Sequence, residues 1–297
     1  MTTAVVKTGT SMYDFITAFF NPDNDFLRLA LYVGLLASVS FGIIGTYVIT
    51  RRITFLAGSI SHCIFGGIGA GLYIKNKIEI GWFDPIYGAV LSALLAAGII
   101  GFITLYVRQR EDTVIGALWA VGMATGLVFI DLTPGYYNLS SYLFGDILLI
   151  SKSDLLFVLG LDIVVVTLSF SFFNKFLAVC FDEEFARLRG INVGFFYILL
   201  LCLIALTVVL LVRIVGVIMV IALLTLPAAT AGHLTGRFLQ MMLFAVIFCM
   251  GFIWLGLAAS YSLSLSSGPT IILISGFSYI IVLTGKSLWQ AIRRRKD

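Results

Sequence analysis

Residues 195–231 read FFYILLLCLIALTVVLLVRIVGVIMVIALLTLPAATA, a run of 37 residues with a single charged side chain, Arg213. A helix needs about 20 mostly apolar residues to cross the hydrocarbon of a bilayer, so this run is long enough for two crossings. The charge at Arg213 predicts that spans at 195–212 and 214–231 meet there. Almost no loop separates them, so a broken or re-entrant arrangement that leaves eight full spans is an alternative.

The whole chain has a similar composition. Of its 297 residues, 60% are hydrophobic and 11% are charged, and the mean hydropathy is +1.08, whereas globular domains carry roughly 25% charged residues. These values predict an integral membrane protein. The net charge of +4 does not indicate nucleic-acid binding, because Lys and Arg are scattered at the ends of apolar segments. The four cysteines have no zinc-type spacing, and we interpret them as small buried apolar residues.

Nine apolar runs predict an all-α polytopic bundle of eight to nine transmembrane helices. They divide the chain into an extracytoplasmic segment, 1–26, with an amphipathic stretch at 13–20 that lies in the membrane interface, a transmembrane domain, 27–288, and a basic cytoplasmic tail, 289–297. The predicted spans are 27–49, 55–74, 86–107, 113–130, 155–173, 195–212, 214–231, 241–260 and 270–288.

The basic residues predict the orientation of the chain. With the N-terminus outside, thirteen of the nineteen Lys and Arg residues lie at the inner face and six at the outer face. Cytoplasmic loops of membrane proteins carry such an excess, so we expect the N-terminus outside and the C-terminus inside. The loop at 141–146 is then outside, and the four basic residues at 293–296 lie beside anionic lipid.

The predicted inner loop at 175–192 contains an amphipathic helix at about 182–190. Three acidic residues stand in its first turn and Arg187 stands near its last, which matches the helix dipole, and Gly190 suits the position after the end. Such a helix has the form of a docking element, although a solvated helix that follows the membrane surface fits the sequence equally well. The candidate docking residues are Asp182, Glu183, Glu184, Phe185, Ala186, Arg187 and Gly190.

A histidine, His62, interrupts the apolar stretch AGSISHCIFGGIGAGLY at 57–73. A polar ring at membrane depth requires a partner or an aqueous surface, so it is by default a candidate functional site. Neutral imidazole is a common ligand of zinc, manganese and iron. A buried histidine hydrogen-bonded between closely packed helices is the alternative. The candidate residues of a metal-ion pathway through the bundle are His62, Ser59, Ser61, Cys63 and Asp162. A structural role would also explain the intramembrane carboxyl of Asp162.

Further along the chain, Pro227 interrupts the hydrogen-bond ladder of its span, and we expect that segment to line the pathway. His233 is expected at the inner interface in a structural role. The fragment TGKS at 284–287 resembles the end of a phosphate loop, but Ile280 stands where the motif requires glycine. The two histidines have no partnered acid at readable spacing, so the sequence does not predict an enzyme.

Six ordered motifs resemble the permease subunits of bacterial metal-ion ABC importers of the zinc, manganese and iron group. The resemblance implies a permease dimer in the cytoplasmic membrane, formed by two copies of this chain or by this chain and a related one. It also implies two ATPase subunits that bind ATP, an extracytoplasmic metal-binding protein, and a coupling helix at 182–190 that contacts the ATPase. The motifs are RRITFLAGSISHCIFGG (51–67), EDTVIGALWAVGMATG (111–126), SYLFGDIL (141–148), FDEEFARLRG (181–190), VGVIMVIALLTLPAATA (215–231) and SGPTIIL (267–273).

The chain departs from that group beside the histidine. Members commonly carry an acid four residues before it and a proline four residues after it, whereas this chain has Gly58 and Gly66 there. Residues four apart share a helix face, so Asp and His would offer two neighbouring ligands, while this chain offers only His62. In a two-fold dimer, an axial pore would receive His62 from both copies.

The leading hypothesis is therefore a permease that moves a divalent metal inward, with zinc expected first and manganese or iron also compatible, and with no permanently bound cofactor. A stand-alone secondary metal-ion transporter or channel is the alternative. That alternative predicts inverted repeats and paired intramembrane charges, and neither is evident in the sequence.

Overall fold

The structure is a computed structural model that describes residues 25–78, 82–107, 111–135 and 152–294, together with Thr17. Within these ranges every regular element is an α-helix, which confirms the all-α prediction. Apart from Thr17, the amphipathic stretch at 13–20 lies outside the described residues, as do the loop at 141–146 and the basic residues 295–296. The helices are α1 (Asp25–Arg51), α2 (Thr54–Lys77), α3 (Pro85–Tyr106), α4 (Glu111–Leu132), α5 (Lys152–Ser171), α6 (Phe173–Phe181), α7 (Glu183–Leu188), α8 (Val193–Leu234), α9 (Phe238–Leu263) and α10 (Ser267–Arg294).

Eight helical segments in the described part of the chain are long and apolar enough to cross a membrane. A ninth crossing results if the bent pair α5 and α6 is taken as one span, and the two helices of this pair meet at 71°. The count agrees with the eight to nine spans that the sequence predicts. The bend turns α6 away from the axis of α5 just before α7, the helix predicted at 182–190.

The two spans of the longest apolar run meet at Gly216, where α8 is broken. Gly216 has φ 79° and ψ 167°, a conformation that is essentially limited to glycine because it lacks a Cβ. The break separates the spans Val193–Leu210 and Gly216–Leu234. The predicted division at Arg213 falls within the interval between these two spans, and the non-helical residue lies three positions further on, where glycine permits that backbone conformation.

The second helix, α2, is the most enclosed span, with 83% of its apolar window buried. It packs against α3, α4 and α8, while α1 packs against α5, α8 and α9. Helices α2 and α4 approach closely, since a Cβ added to Gly122 of α4 would lie 2.8 Å from the backbone of Cys63. The close approach brings α4 side chains over the face of α2 that carries His62.

Two other spans are mostly exposed. Only 17% of the apolar window of α4 and 11% of that of α10 are buried. Their outward side chains are largely apolar, which suits contact with lipid or with another membrane subunit. The four cysteines are free, and Cys63, Cys180 and Cys249 are buried, in agreement with their interpretation as apolar residues.

Candidate functional site

His62 lies in the middle of α2 with its side chain directed toward α4. The residue is only 7% exposed. Its imidazole stacks on the indole of Trp119, with ring centroids 4.2 Å apart and an angle of 24° between the planes. The Nδ1 atom is buried and has no hydrogen-bond partner among the described residues. A buried nitrogen without a partner is costly in free energy, so it favours a role in which this atom binds something that the chain itself does not supply.

Trp119 also explains what fills the space beside Gly58. A Cβ added to Gly58 would lie 2.9 Å from Cζ3 of Trp119 and 3.1 Å from Cδ1 of Ile221. The indole therefore occupies the volume into which an acidic side chain at this position would extend. The sequence did not reveal Trp119 as a site residue, because nothing in its own motif indicates which neighbour faces Gly58.

The other polar residues of the predicted pathway use their donors in local hydrogen bonds. Ser59 Oγ donates to the carbonyl of Ile115 at 3.1 Å, and Cys63 Sγ donates to the carbonyl of Leu118 at 3.4 Å. Both bonds connect α2 to α4. Ser61 Oγ donates within α2, to the carbonyl of Ala57 at 2.9 Å. These three side chains stabilise the walls around His62, and their contacts do not direct them at a common point.

Asp162 does not belong to the same cluster. It lies on α5, faces the bundle interior with 6% exposure, and accepts a hydrogen bond from Ser40 Oγ of α1. Helix α5 packs mainly against α1, with smaller contacts to α6 and α8, while His62 faces α4. Among the described residues no group of three or more His, Cys, Asp or Glu side chains could hold a metal ion. The predicted grouping of Asp162 with His62 thus finds no geometric support.

Pro227 lies buried in the second half of α8. Proline has no N–H, so the ladder of α8 lacks one hydrogen bond at this point. The same half of α8 reaches the His62 region through Ile221, which borders Gly58. The half-helix therefore forms one wall of the region around His62.

His233, at the end of α8, lies away from these residues. Its ring centroid is 5.7 Å from that of Tyr279, and its carbonyl accepts a hydrogen bond of 2.6 Å from Lys286 Nζ. Lysine beside the last carbonyls of a helix is a favourable arrangement, which fits a structural role.

The predicted cytoplasmic helix is α7, with Asp182 as its N-cap. The Asp182 carboxylate accepts from the backbone N–H of Phe185 at 2.9 Å. Gly190 follows the helix with φ +74°, a left-handed conformation that glycine adopts without strain. The N-cap at Asp182 and the glycine at 190 therefore determine where α7 begins and ends, as the sequence indicates.

The side chains of α7 divide into a buried anchor and an exposed apolar face. Ala186 is fully buried, so it attaches the helix to the bundle and presents no surface to a partner. Phe185 is 47% exposed and Leu188 is 87% exposed, and the neighbouring Phe181 is 66% exposed. Glu183 forms an ion pair with Arg51 of α1, and its Oε2 atom lies 3.8 Å from Nη2 of Arg187.

Two grooves flank α7. One has a volume of about 540 Å³ and runs along Tyr106, Arg187 and Asn192. The other has a volume of about 450 Å³ and is lined by Lys175, Phe181, Asp182, Phe185 and Arg189, among others. An exposed helix between two grooves, with apolar and basic side chains, has the form of a protein-docking element.

Comparison with known proteins agrees with this arrangement of spans and loops. The profile of the ABC 3 transport family matches residues 23–286. The chain belongs to this family. The resemblance drawn from the six motifs is therefore confirmed.

Individual relatives extend the family match. A Chlamydia pneumoniae protein named "probable metal transport system membrane protein" is 38% identical over 256 residues, covering 86% of this chain and 87% of the relative. The manganese transport system membrane protein MntC of Listeria monocytogenes is 31% identical, covering 86% and 89%. The structure of PsaBC from Streptococcus pneumoniae in complex with Fab contains a chain that superposes with a TM-score of 0.81 at 28% identity, covering 92% of this chain and 95% of that chain. This ABC 3 family member thus shares the permease fold along nearly its entire length.

Proposed function

We propose that this chain is the permease subunit of an ATP-driven importer that moves a divalent transition metal ion into the bacterial cytoplasm. Membership of the ABC 3 transport family supports the transport function. The names of the Chlamydia and Listeria relatives support a metal ion as the cargo. The described residues of one chain form no multi-ligand metal cluster, which suits brief passage of an ion better than tight storage.

The observation that carries the proposal is the exposed apolar face of α7. Phe185 and Leu188 of α7, and Phe181 at the end of α6, are exposed and follow the predicted span at 155–173, at the predicted inner face. Exposed apolar side chains that form a patch rimmed by charged residues mark a protein interface. We assign this face to a cytoplasmic ATPase subunit, with one ATPase bound by each of two permeases.

His62 is the proposed ligand along the pathway. Its Nδ1 atom has no hydrogen-bond partner among the described residues, and a second permease copy, identical or related, would bring further donors to the two-fold axis. Nitrogen donors suit zinc, whereas manganese prefers carboxylate and other oxygen ligands. Because an indole stands where a carboxylate would lie, we propose zinc as the preferred cargo over manganese and iron.

The proposed orientation places the N-terminus outside the bacterial inner membrane and α7 inside. A metal-binding protein then docks from the outside, and the exposed faces of α4 and α10 contact lipid or the second permease. Cysteines introduced singly at 188 and 82, in a background without the four native cysteines, test this orientation in intact cells. An impermeant thiol reagent is expected to label position 82 and to spare position 188, and the reverse pattern would contradict the orientation.

Reconstitution tests the function itself. The chain is placed in proteoliposomes with its cognate ATPase and metal-binding protein, and zinc uptake is measured. We expect uptake only with ATP, a functional ATPase and the loaded binding protein, and none with an ATPase variant that cannot hydrolyse ATP. Uptake by the chain alone on an ion gradient would favour the stand-alone transporter instead.

A further inference from the structure

Arg51, the last residue of α1, connects four helices at the cytoplasmic end of the bundle. Its Nη1 atom donates to the carbonyl of Val179 in α6 at 3.1 Å, and its Nη2 atom forms the ion pair with Glu183 of α7. The guanidinium also lies over the ring of Tyr197 in α8, 5.5 Å from the ring centroid. One side chain thus links a long membrane span to the short helix that we assign to the ATPase contact.

The two hydrogen bonds of Arg51 lie at the junction between α6 and α7. The carbonyl of Val179 is one of the last four of α6, and these have no partner within the helix. A continuous helix would bond this carbonyl to the N–H of Glu183, but the chain is extended at Asp182, with φ −153° and ψ 101°. Arg51 supplies the missing donor and also holds the Glu183 carboxylate, so it fixes the angle at which α7 leaves α6.

The environment makes this contact stronger than an ordinary surface ion pair. The side chain of Arg51 is 22% exposed and that of Glu183 is 32% exposed, while Tyr197 beneath the guanidinium is 2% exposed. Partial burial reduces screening by solvent, and the planar fork of arginine can bond a carbonyl and a carboxylate simultaneously. A lysine at this position would keep the charge but would lose the fork.

The rest of the contact surface of α7 is small. Its contacts with the bundle are otherwise mainly with α6 and α8. Helix α1, in contrast, packs along α5, α8 and α9. A displacement of α7 by a bound ATPase therefore reaches the opposite side of the bundle most directly through the end of α1.

We propose that Arg51 is the positioning residue that couples α7 to the membrane helices, so that ATP hydrolysis in the partner moves α1 and opens the pathway. This inference rests on the proposed function as an ATP-driven permease. Arg51 does not contact the cargo. Its role is to hold the helix that receives the mechanical signal.

The experiment measures zinc transported per ATP hydrolysed by the reconstituted complex of permease, ATPase and loaded binding protein. Arg51→Lys and Arg51→Gln are compared with Arg237→Lys, a matched change at an exposed cytoplasmic arginine outside this junction. We expect both Arg51 variants to lower the zinc-to-ATP ratio at least about fivefold, the low end of typical coupling between two sites. Both Arg51 variants should remain folded at the temperature of the assay, basal ATP hydrolysis should stay near wild type, and Arg237→Lys should retain the full ratio.

A double-variant cycle separates coupling from general stability. Arg51→Gln and Glu183→Gln should each lower the ratio, and the combined variant should be no worse than Arg51→Gln alone, because that change already removes the contact with Glu183. Wild-type ratios in both Arg51 variants, or loss of folded protein in both, would overturn the inference. Absence of ATP-dependent uptake in the wild-type complex would instead contradict the proposed function, so the two failures are distinguishable.

Discussion

The indole of Trp119 lies stacked on the imidazole of His62, at a centroid distance of 4.2 Å, and it occupies the space that opens above Gly58. The stack joins two spans that pack closely at Gly122, and the buried Nδ1 atom of His62 has no hydrogen-bond partner in the part of the chain that the structure describes. An aromatic side chain thus occupies the volume that an acidic side chain at position 58 would need. The glycine and the tryptophan belong together, because a side chain at position 58 requires the indole to move.

The first prediction concerns this pair of residues. Gly58→Asp alone should lower the unfolding temperature of the purified protein, since its Cβ would lie 2.9 Å from Trp119 and overpacking costs about 1–3 kcal/mol. Gly58→Asp combined with Trp119→Ala should recover part of that loss and should raise manganese uptake relative to zinc, because a carboxylate then lies beside His62. Thermal unfolding and competitive metal uptake measure both effects. If the stability losses of Gly58→Asp and Trp119→Ala simply add in the double variant, the two positions do not share this volume.

The second prediction separates the ligand role of His62 from its packing role. His62→Phe keeps a ring that can stack on Trp119 but removes both nitrogens, so the protein should fold normally while zinc uptake falls roughly tenfold or more, as expected for loss of a metal contact. His62→Ala should reduce uptake equally and should also lose the stacking contribution of about 0.5–1.5 kcal/mol. Uptake in cells that lack other zinc transporters is the measurement. Wild-type uptake in His62→Phe would assign the histidine to packing alone.

The third prediction concerns the exposed face of α7. Leu188→Ser should weaken binding of the ATPase about tenfold or more, because a buried apolar anchor at an interface contributes upward of 1.4 kcal/mol. The leucine is 87% exposed in the isolated chain, so its substitution should change the free energy of unfolding by less than about 0.5 kcal/mol. Leu234→Ser, at another exposed leucine near the inner face, is the control. Equal ATPase affinity in both variants would remove α7 from the interface.

The fourth prediction concerns the break in α8. Gly216→Ala should destabilise the protein by about 1–3 kcal/mol, since residues with a Cβ are strained at φ 79° and ψ 167°. Gly98→Ala in α3 is the matched change, because a Cβ there meets nothing within 4 Å and alanine favours a helix by about 0.5–1 kcal/mol. Thermal unfolding of both variants in detergent is the measurement. An unfolding temperature that rises in both would mean that position 216 is helical.

The sequence by itself determined the features that depend on a short stretch of chain. Hydropathy predicts the spans because any segment in lipid must satisfy its own backbone hydrogen bonds, and the eight to nine crossings agree with the structure. The cap at Asp182 and the left-handed Gly190 were likewise predictable, since capping involves residues only a few positions apart. Six motifs also sufficed to indicate the family.

Only the tertiary structure decided which distant residues meet. The stack of Trp119 on His62, the link from Arg51 to Glu183 and the hydrogen bond from Ser40 to Asp162 each join residues more than 50 positions apart, and no local pattern specifies such pairs. Hydrophobic periodicity indicates that a helix face is buried, but it does not indicate which other helix covers that face. His62 faces α4, whereas Asp162 lies on α5, which packs against α1. This arrangement depends on side-chain volumes and helix packing throughout the bundle, which no single stretch of sequence specifies.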